Sequence, residues 1–165
     1  MEPKGTLIFF CGKMGAGKTS MSIELSKDKN TVLLSEDTWL SQIYPHQIAS
    51  FDDYLKFSRQ IRPLVKNLAQ DILRTGTNVV MDFPANTASQ RDWFKNLSAE
   101  VESPYEMIYL DASNEICLKH IAKRQKEQPE RSNFDTKEVF LKITQYFEKP
   151  EETERLNIRK IEVRT

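Results

Sequence analysis

One glycine-rich stretch near the start of the chain constrains the fold more strongly than any other part of the sequence. Residues 12–19 read GKMGAGKT, directly after the short apolar run of residues 6–11 and before residues 19–27, in which apolar and polar residues mix. A short apolar run bounded by glycines is typical of a buried strand, and we predict a helix over 19–27. The octapeptide fits the pattern G-x-x-x-x-G-K-[ST] without a mismatch, so the sequence predicts a strand, a tight glycine loop and a helix.

This loop has the residues that a phosphate-binding site needs. Its glycines let the backbone curl so that successive N–H groups point inward, and the following helix adds the positive end of its dipole. Lys18 would reach the β- and γ-phosphates of a nucleoside triphosphate, and the Thr19 hydroxyl would ligate Mg²⁺. A plain glycine turn that matches by chance is the alternative, but the flanking strand and helix favour a phosphate site. The expected nucleotide-binding residues are Gly12, Lys13, Met14, Gly15, Ala16, Gly17, Lys18, Thr19 and Ser20.

Strands and helices alternate along the rest of the chain. Further apolar runs predict strands over residues 31–35, 78–83, 106–111 and 157–163, and helical spacing of apolar residues predicts helices over 51–72, 87–97, 114–126 and 136–147. Pro63 should kink the first of these helices or divide it in two, and Gly76 should end it. The alternation favours an α/β fold, with a parallel sheet and helices on both of its faces, in a single domain over residues 1–165.

Composition and charge exclude several classes of protein. Lys and Arg total 24, and so do Asp and Glu, so the chain lacks the basic excess typical of proteins that bind nucleic-acid backbones. Cys11 and Cys117 are too few for a disulfide framework, and His46 and His120 have no partner at metal-ligand spacing, so we expect these histidines at the surface or in packing contacts. No apolar run is long enough for a signal peptide or a membrane span, so we expect a cytoplasmic protein that does not bind membranes.

Acidic residues follow several of the predicted strands, at the sheet edge where ligands of parallel sheets bind. Asp37 comes after the second strand, where it could act as the base that takes the proton from an acceptor hydroxyl. The alternative is a helix N-cap, since Asp caps helices well and a helix could begin at Thr38. Glu36 beside it is expected to be solvated or structural.

Two of the predicted strands end in an apolar run followed by aspartate. Asp82 closes VVMD and Asp111 closes IYLD, and both match the pattern in which the carboxylate holds Mg²⁺ or its waters. We favour Asp82 for the metal, because the sequence after Asp111 reads as a helix start with Ser113 or Asn114 as its cap. Asp111 stays the alternative.

The polar run of residues 124–133 is the one long charged segment. Arg124 and Arg131 flank it, and a mobile lid over about residues 124–136 could bring both arginines onto the phosphates, where they would stabilise transition-state charge. A solvated charged loop is the alternative.

With these motifs in place, the sequence resembles small P-loop kinases. The segments GKMGAGKTS, LLSEDTWL, VVMDF, QRDWF and YLDASNEICLKHIAKRQKEQPE occur in the same order and at similar spacing in a bacterial group of AAA-type ATP-binding proteins, which resembles zeta toxins, chloramphenicol phosphotransferase and polynucleotide kinases. The resemblance covers nearly the whole chain. It implies a three-layer P-loop NTPase fold, with a five-stranded parallel sheet in the order 2-3-1-4-5 and a short lid.

The same resemblance implies functional residues. It places an acidic base at Asp37 and a lid arginine at Arg124 or Arg131, and it puts Pro150 near the adenine of bound ATP. Arg155 stands where that group usually has a glycine, which changes the expected geometry on the adenine side.

The chain departs from polynucleotide kinases on the acceptor side. Those enzymes carry D-x-x-R after the second strand, with the arginine on the acceptor phosphate, whereas Leu40 occupies that place here. The departure favours an acceptor that is uncharged or largely apolar, on which Trp39 could stack, while Arg91 could still supply a cation.

Together these expectations describe a kinase that moves the γ-phosphoryl group of ATP, with Mg²⁺ as cofactor, to a hydroxyl of a small molecule or of a nucleic-acid end. The alternative is an ATPase or nucleotide switch without a small-molecule acceptor. The residues expected in catalysis are Lys18, Asp37, Arg124 and Arg131, with Thr19 and Asp82 on the metal and Trp39 and Arg91 on the acceptor.

Overall fold

The computed structural model describes residues 3–164, in which a parallel sheet is flanked by helices. Its five strands are β1 (Leu7–Cys11), β2 (Thr31–Ser35), β3 (Asn78–Pro84), β4 (Tyr105–Asp111) and β5 (Ile158–Glu162), in the order β2-β3-β1-β4-β5. The helices are α1 (Lys18–Leu25), α2 (Glu36–Ile43), α3 (Phe51–Arg74), α4 (Ala88–Glu100), α5 (Asn114–Glu127) and α6 (Lys137–Thr144), with 3₁₀ turns at Pro129–Arg131 and Glu152–Glu154. The predicted parallel sheet and its strand order are confirmed.

The central strands β1, β3 and β4 have buried side chains on both faces of the sheet, since successive side chains of a strand point to opposite faces and helices cover both. On one face, odd-numbered strand residues such as Phe9 and Met81 pack against α3 and α4, and the rings of Phe9 and Phe94 stack with their centroids 4.4 Å apart. On the other face, Phe10 and Ile108 belong to a second cluster with residues of α5 and α6. Burial on both faces explains the largely continuous apolar runs of these three central strands, whereas the edge strand β5 is mostly exposed.

Helix α3 rules out one of the two alternatives for Pro63. The chain forms one helix of 24 residues with Pro63 inside it, not two helices. The proline lies on the exposed side, while Ile61, Val65 and Ala69 form a buried stripe at helical spacing. A proline inside a helix costs about 3 kcal/mol, and the packing of this stripe on the sheet offsets that cost.

In residues 3–164 no helix combines the length and apolar character that a membrane span requires.

Gly76 ends α3 as the sequence predicted. Its φ of +89° lies in the left-handed region, and its N–H donates to the Leu73 carbonyl oxygen at 3.1 Å. A Cβ atom at this position would also lie 3.0 Å from the carbonyl oxygen of Pro3. Glycine is therefore required here by backbone conformation as well as by space.

We predict that Gly76→Ala lowers the free energy of unfolding by about 1–2 kcal/mol, because an L-residue is strained at this positive φ. Urea denaturation measures the effect, as a lower midpoint with an unchanged slope. Lys29→Ala, at an exposed position before β2, is the control and should leave the midpoint unchanged. Equal midpoints for Gly76→Ala and the wild type would contradict the assigned cap.

Candidate active site

The glycine loop between β1 and α1 has the tight backbone that its sequence predicts. Gly15 and Gly17 have φ angles of +81° and +105°, and Gly17 is the N-cap of α1. A Cβ atom on Gly15 would lie 2.6 Å from the carbonyl oxygen of Cys117 in α5. The loop therefore lies directly on α5, and the N-terminus of α1 opens onto it, which is the arrangement of an anion site.

Two side chains that the sequence analysis did not assign to the site hold this loop in place. The Oδ1 atom of Asn86, just after β3, accepts a hydrogen bond from the Gly12 N–H at 2.9 Å. The Nδ1 atom of His120 lies 2.7 Å from the Gly15 carbonyl oxygen and donates to it, since a carbonyl can only accept. His120 is thus a packing residue whose partner is the loop itself. Both contacts link residues more than 70 positions apart, so no local pattern reveals them.

Lys18 begins α1 and already lies against the loop. Its ammonium group donates a hydrogen bond to the Gly12 carbonyl oxygen. Burial lowers the pKa of Lys18, while the neighbouring Cys11 and Asp82 act in the opposite direction. A partly desolvated cation at this place is suited to bind a phosphate, because the anion restores a counter-charge in a site that holds little water.

Thr19 and Asp82 meet at the carboxyl edge of the sheet. The Thr19 Oγ1 atom donates to Asp82 Oδ2 at 2.8 Å. Burial raises the pKa of Asp82, the hydrogen bond from Thr19 lowers it, and the charge of Asp37 raises it further. The alternative carboxylate, Asp111, instead lies with Oδ2 3.4 Å from the Lys160 ammonium on β5. The geometry therefore favours Asp82 as the carboxylate that acts together with the loop.

These two oxygen ligands fit a magnesium ion that is shared with phosphates. Mg²⁺ prefers oxygen ligands and is usually bound through one or two protein groups, with substrate phosphates and waters completing an octahedron. Among residues 3–164 no group of three or more His, Cys, Asp or Glu could hold a metal ion by itself. A hydroxyl and a carboxylate beside a phosphate loop need no larger cluster.

Asp37 is an exposed carboxylate near the start of α2. The helix begins at Glu36 and its N-cap is Ser35, whose Oγ accepts from the Thr38 N–H at 3.4 Å. The alternative in which Asp37 caps a helix beginning at Thr38 is therefore wrong. Asp37 is the second residue of the helix, and its Oδ2 atom lies 3.9 Å from Nη1 of Arg131.

The buried side chain of Glu36 fixes the position of α2. It is buried, its carboxylate accepts hydrogen bonds from the Tyr54 hydroxyl and, at 2.7 Å, from Ser58 Oγ, and burial raises its pKa. Of the two expectations for Glu36, the structural one is correct. The contact joins α2 to α3 and so holds the neighbouring Asp37 at the edge of the site.

Trp39, the predicted acceptor platform, is half-buried and packs against the core.

Arg124 and Arg131 are brought together by a residue that the sequence analysis missed. Asp135 is buried, and its carboxylate accepts from Nε and Nη2 of Arg124 at 2.9 and 2.6 Å and from Nε of Arg131 at 3.0 Å. Both arginines are therefore held by a buried carboxylate, although residues around them such as Lys126 and Glu130 are exposed. An aspartate in a polar stretch gives no local sign that it will be buried, and only the fold identifies it.

The structure corrects the prediction for Arg91. Its side chain is 0% exposed, and it donates to both carboxylate oxygens of Glu154, at 2.8 and 3.1 Å, and to the Ala85 carbonyl oxygen at 3.1 Å. A guanidinium group that is buried and paired in this way cannot reach an acceptor. Its hydrogen bonds lower the pKa of Glu154, and the pair joins the 3₁₀ turn Glu152–Glu154 to α4.

The segment around Pro150 lies beside the loop, where the resemblance expects the adenine. Pro150 is half-buried. Just before it, the Glu148 N–H donates to the Asn86 carbonyl oxygen at 2.8 Å, and the Lys13 ammonium lies 5.9 Å from the centroid of the Phe147 ring. Arg155, which replaces the usual glycine, keeps a left-handed backbone with φ +52°, so the substitution preserves the turn.

Comparison with known proteins agrees with this geometry. A family model described as AAA domain matches residues 7–150, which is most of the chain. A comparison with curated proteins finds no match. Many solved structures share the fold, so the sheet and its surrounding helices are a recurrent arrangement.

Three of these structures give the extent of the similarity. An APS kinase of Mycobacterium tuberculosis, solved with AMPPNP and APS, has a TM-score of 0.66 at 18% identity, covering 98% of this chain and 90% of its own. A protein of Chloroflexus aurantiacus has a TM-score of 0.74 at 16% identity, covering 96% and 88%. A sugar kinase from Janibacter sp. HTCC2649 has a TM-score of 0.61 at 16% identity, covering 97% and 86%. At these identities the similarity establishes the fold, which is that of P-loop kinases.

We predict that Arg91→Met lowers the free energy of unfolding by about 3 kcal/mol, because it leaves the Glu154 carboxylate without its buried partner. The control is Arg159→Met, which removes an exposed arginine whose Nε lies 3.9 Å from Glu106 and should change stability little. Denaturant titration of both variants checks the difference. If Arg91→Met were as stable as the wild type, the structural role of Arg91 would be refuted.

Proposed function

Because the chain belongs to the AAA domain family and has the fold of P-loop kinases, we propose that it transfers the γ-phosphoryl group of ATP to a hydroxyl group of an acceptor. The observation that carries this proposal is the 2.8 Å hydrogen bond between Thr19 and Asp82. It joins the phosphate loop to an acidic residue at the end of the neighbouring strand, and Asp37 lies two residues after Ser35, the strand partner of Asp82.

The nucleotide is held by the loop and by α1. Backbone N–H groups of residues 13–15 and of Gly17, together with the N-terminus of α1, bind phosphate oxygens, while the Gly12 N–H keeps its bond to Asn86. Lys18 leaves the Gly12 carbonyl to pair with the β- and γ-phosphates. Thr19 and Asp82 are the residues that would hold Mg²⁺, which when bound neutralises charge on the phosphates. Pro150 and the segment around it border the adenine ring of ATP.

Asp37 is the general base. The acceptor hydroxyl gives its proton to the Asp37 carboxylate, the acceptor oxygen bonds to the γ-phosphorus, and the bond between that phosphorus and the β,γ-bridging oxygen breaks to release ADP. The carboxylate is exposed, and Asp37 follows Ser35, the strand partner of Asp82, by two residues, which supports a position beside the residues that would hold the metal. Arg124 and Arg131 stabilise the charge that moves onto the leaving oxygen.

The acceptor has no phosphate group next to the hydroxyl that receives the phosphoryl group. In place of the arginine that binds an acceptor phosphate, Leu40 is 3% exposed and belongs to the core, and Arg91 is committed to Glu154. Two of the similar structures are an APS kinase and a sugar kinase, so the fold by itself does not select one acceptor. The local residues support an uncharged hydroxyl compound, with the accessible part of Trp39 available for stacking.

We predict that Asp37→Asn lowers phosphoryl transfer by about 100-fold or more while leaving ATP binding nearly intact, since it removes the base and keeps the loop. The assay follows γ-labelled ATP with Mg²⁺ and a fractionated extract of small molecules and RNA. Asp52→Asn is the matched control, because Asp52 is also exposed and is also the second residue of a helix, α3. It should transfer label at the wild-type rate.

The distribution of the label separates the possible outcomes. Label on an acceptor that is lost in Asp37→Asn and kept in Asp52→Asn supports the kinase and identifies the class of acceptor. Full transfer by Asp37→Asn would remove the base from the mechanism. Label that reaches only free phosphate, at the same rate in wild type and Asp37→Asn, would indicate an ATPase or nucleotide switch instead.

A further inference from the structure

We propose that Asp135 is a positioning residue that holds Arg124 and Arg131 in one fixed arrangement, so that both guanidinium groups act on the transferred phosphoryl group. This inference rests on the proposed kinase function. It concerns a residue that lies four positions after the 3₁₀ turn Pro129–Arg131 and that is assigned no contact with nucleotide or acceptor in the proposed mechanism.

The contacts of Asp135 form a closed set of charge-assisted hydrogen bonds. One carboxylate oxygen accepts from Nε of both arginines, at 2.9 Å from Arg124 and 3.0 Å from Arg131, and the other accepts from Nη2 of Arg124 at 2.6 Å. The Asp135 side chain is fully buried, whereas those of Arg124 and Arg131 are 29% and 30% exposed. Bonds of this kind fix the planes of the guanidinium groups as well as their positions.

Asp135 itself is held by the folded core. Its N–H donates to the Arg131 carbonyl oxygen at 2.8 Å, and the next residue, Thr136, is the N-cap of α6 and accepts from the Val139 N–H. One turn into α6, Phe140 is 0% exposed in the cluster that lies under the sheet. The carboxylate is therefore the point at which the arginines of the lid are tied to the body of the protein.

The two arginines lie near different parts of the site. Arg131 Nη1 lies 3.9 Å from the Asp37 carboxylate, on the acceptor side. Arg124 lies on α5 four residues after His120, whose Nδ1 atom is 2.7 Å from the Gly15 carbonyl oxygen of the phosphate loop. The buried Asp135 carboxylate thus holds Arg124 near the phosphate loop and Arg131 near Asp37, the proposed general base.

Loss of this anion has a specific consequence. Without Asp135 the two guanidinium groups repel each other and lose their fixed orientation, so they contact the γ-phosphate less well, while the loop still holds the α- and β-phosphates. The preference for a nucleoside triphosphate over the diphosphate should therefore fall. A purely structural role for Asp135 would lower stability, or weaken both nucleotides equally, and leave this preference unchanged.

The test compares the affinities of the full chain for AMP-PNP and ADP, each with Mg²⁺, by isothermal titration calorimetry. We expect Asp135→Asn, which keeps the shape and removes the charge, to reduce the ratio of the two affinities by about tenfold. Glu127→Gln is the matched control, because it removes one negative charge from the same end of α5, where Glu127 lies exposed and 3.9 Å from Lys123. It should keep the wild-type ratio.

Asp135→Glu provides a second variant if Asp135→Asn does not fold, because it keeps the ion pair and displaces the carboxylate by one methylene group. The same fall in the ratio is expected. A wild-type ratio in whichever variant folds would overturn the inference, as would a wild-type protein that binds AMP-PNP and ADP equally well. In both of these outcomes the protein still binds nucleotides, so they overturn this inference and leave the proposed function standing. A wild-type protein that binds neither AMP-PNP nor ADP would refute the proposed function and this inference with it.

Discussion

The parallel pairing of β1 with β3 is the constraint on which the rest of the site depends. Leu7 to Phe9 pair with Val79 to Met81 in simple register, and the partner of Phe10 is then Pro84, so the pairing shifts at the residues that include Asp82. Such irregularities often occur beside functional sites, because they redirect a side chain at the end of a strand. Here the shift falls where β1 passes into the glycine loop and where Asp82 meets Thr19. Phosphate loop and carboxylate are therefore neighbours because of the sheet.

Buried polar side chains position the elements around this edge. Glu36 joins α2 to α3 and so holds Asp37, the Arg91–Glu154 pair joins the turn Glu152–Glu154 to α4, and Asp135 ties Arg124 and Arg131 to the start of α6. Each of these groups is costly to bury unless its hydrogen bonds are made, so each contact specifies one arrangement of the backbone around it. The residues that hold the site are in this way distinct from the exposed residues that would act in it.

Local sequence patterns were sufficient to predict those features that depend only on residues close together in the chain. The glycine loop, the cap at Gly76 and the apolar strands follow from backbone conformation and burial, and the strand order came from the resemblance that the motifs carry. The errors concern contacts between distant residues. Arg91 looked like a free cation because Glu154 is 63 positions away. The sequence also left open whether Pro63 divides its helix, because the packing of that helix on the sheet decides it. Asp135 was missed for the same reason, since its burial depends on how α6 packs.

The central claim is that the Thr19–Asp82 edge binds ATP through Mg²⁺, and calorimetric titration of ATP with and without Mg²⁺ tests it most directly. The comparison is between wild type, Asp82→Asn and Asp111→Asn, two variants that remove the same charge from the ends of two strands. We expect Mg²⁺ to strengthen ATP binding in wild type and in Asp111→Asn, and its effect to fall by about tenfold or more in Asp82→Asn. An unchanged effect of Mg²⁺ in Asp82→Asn, or its loss in Asp111→Asn instead, would contradict the account.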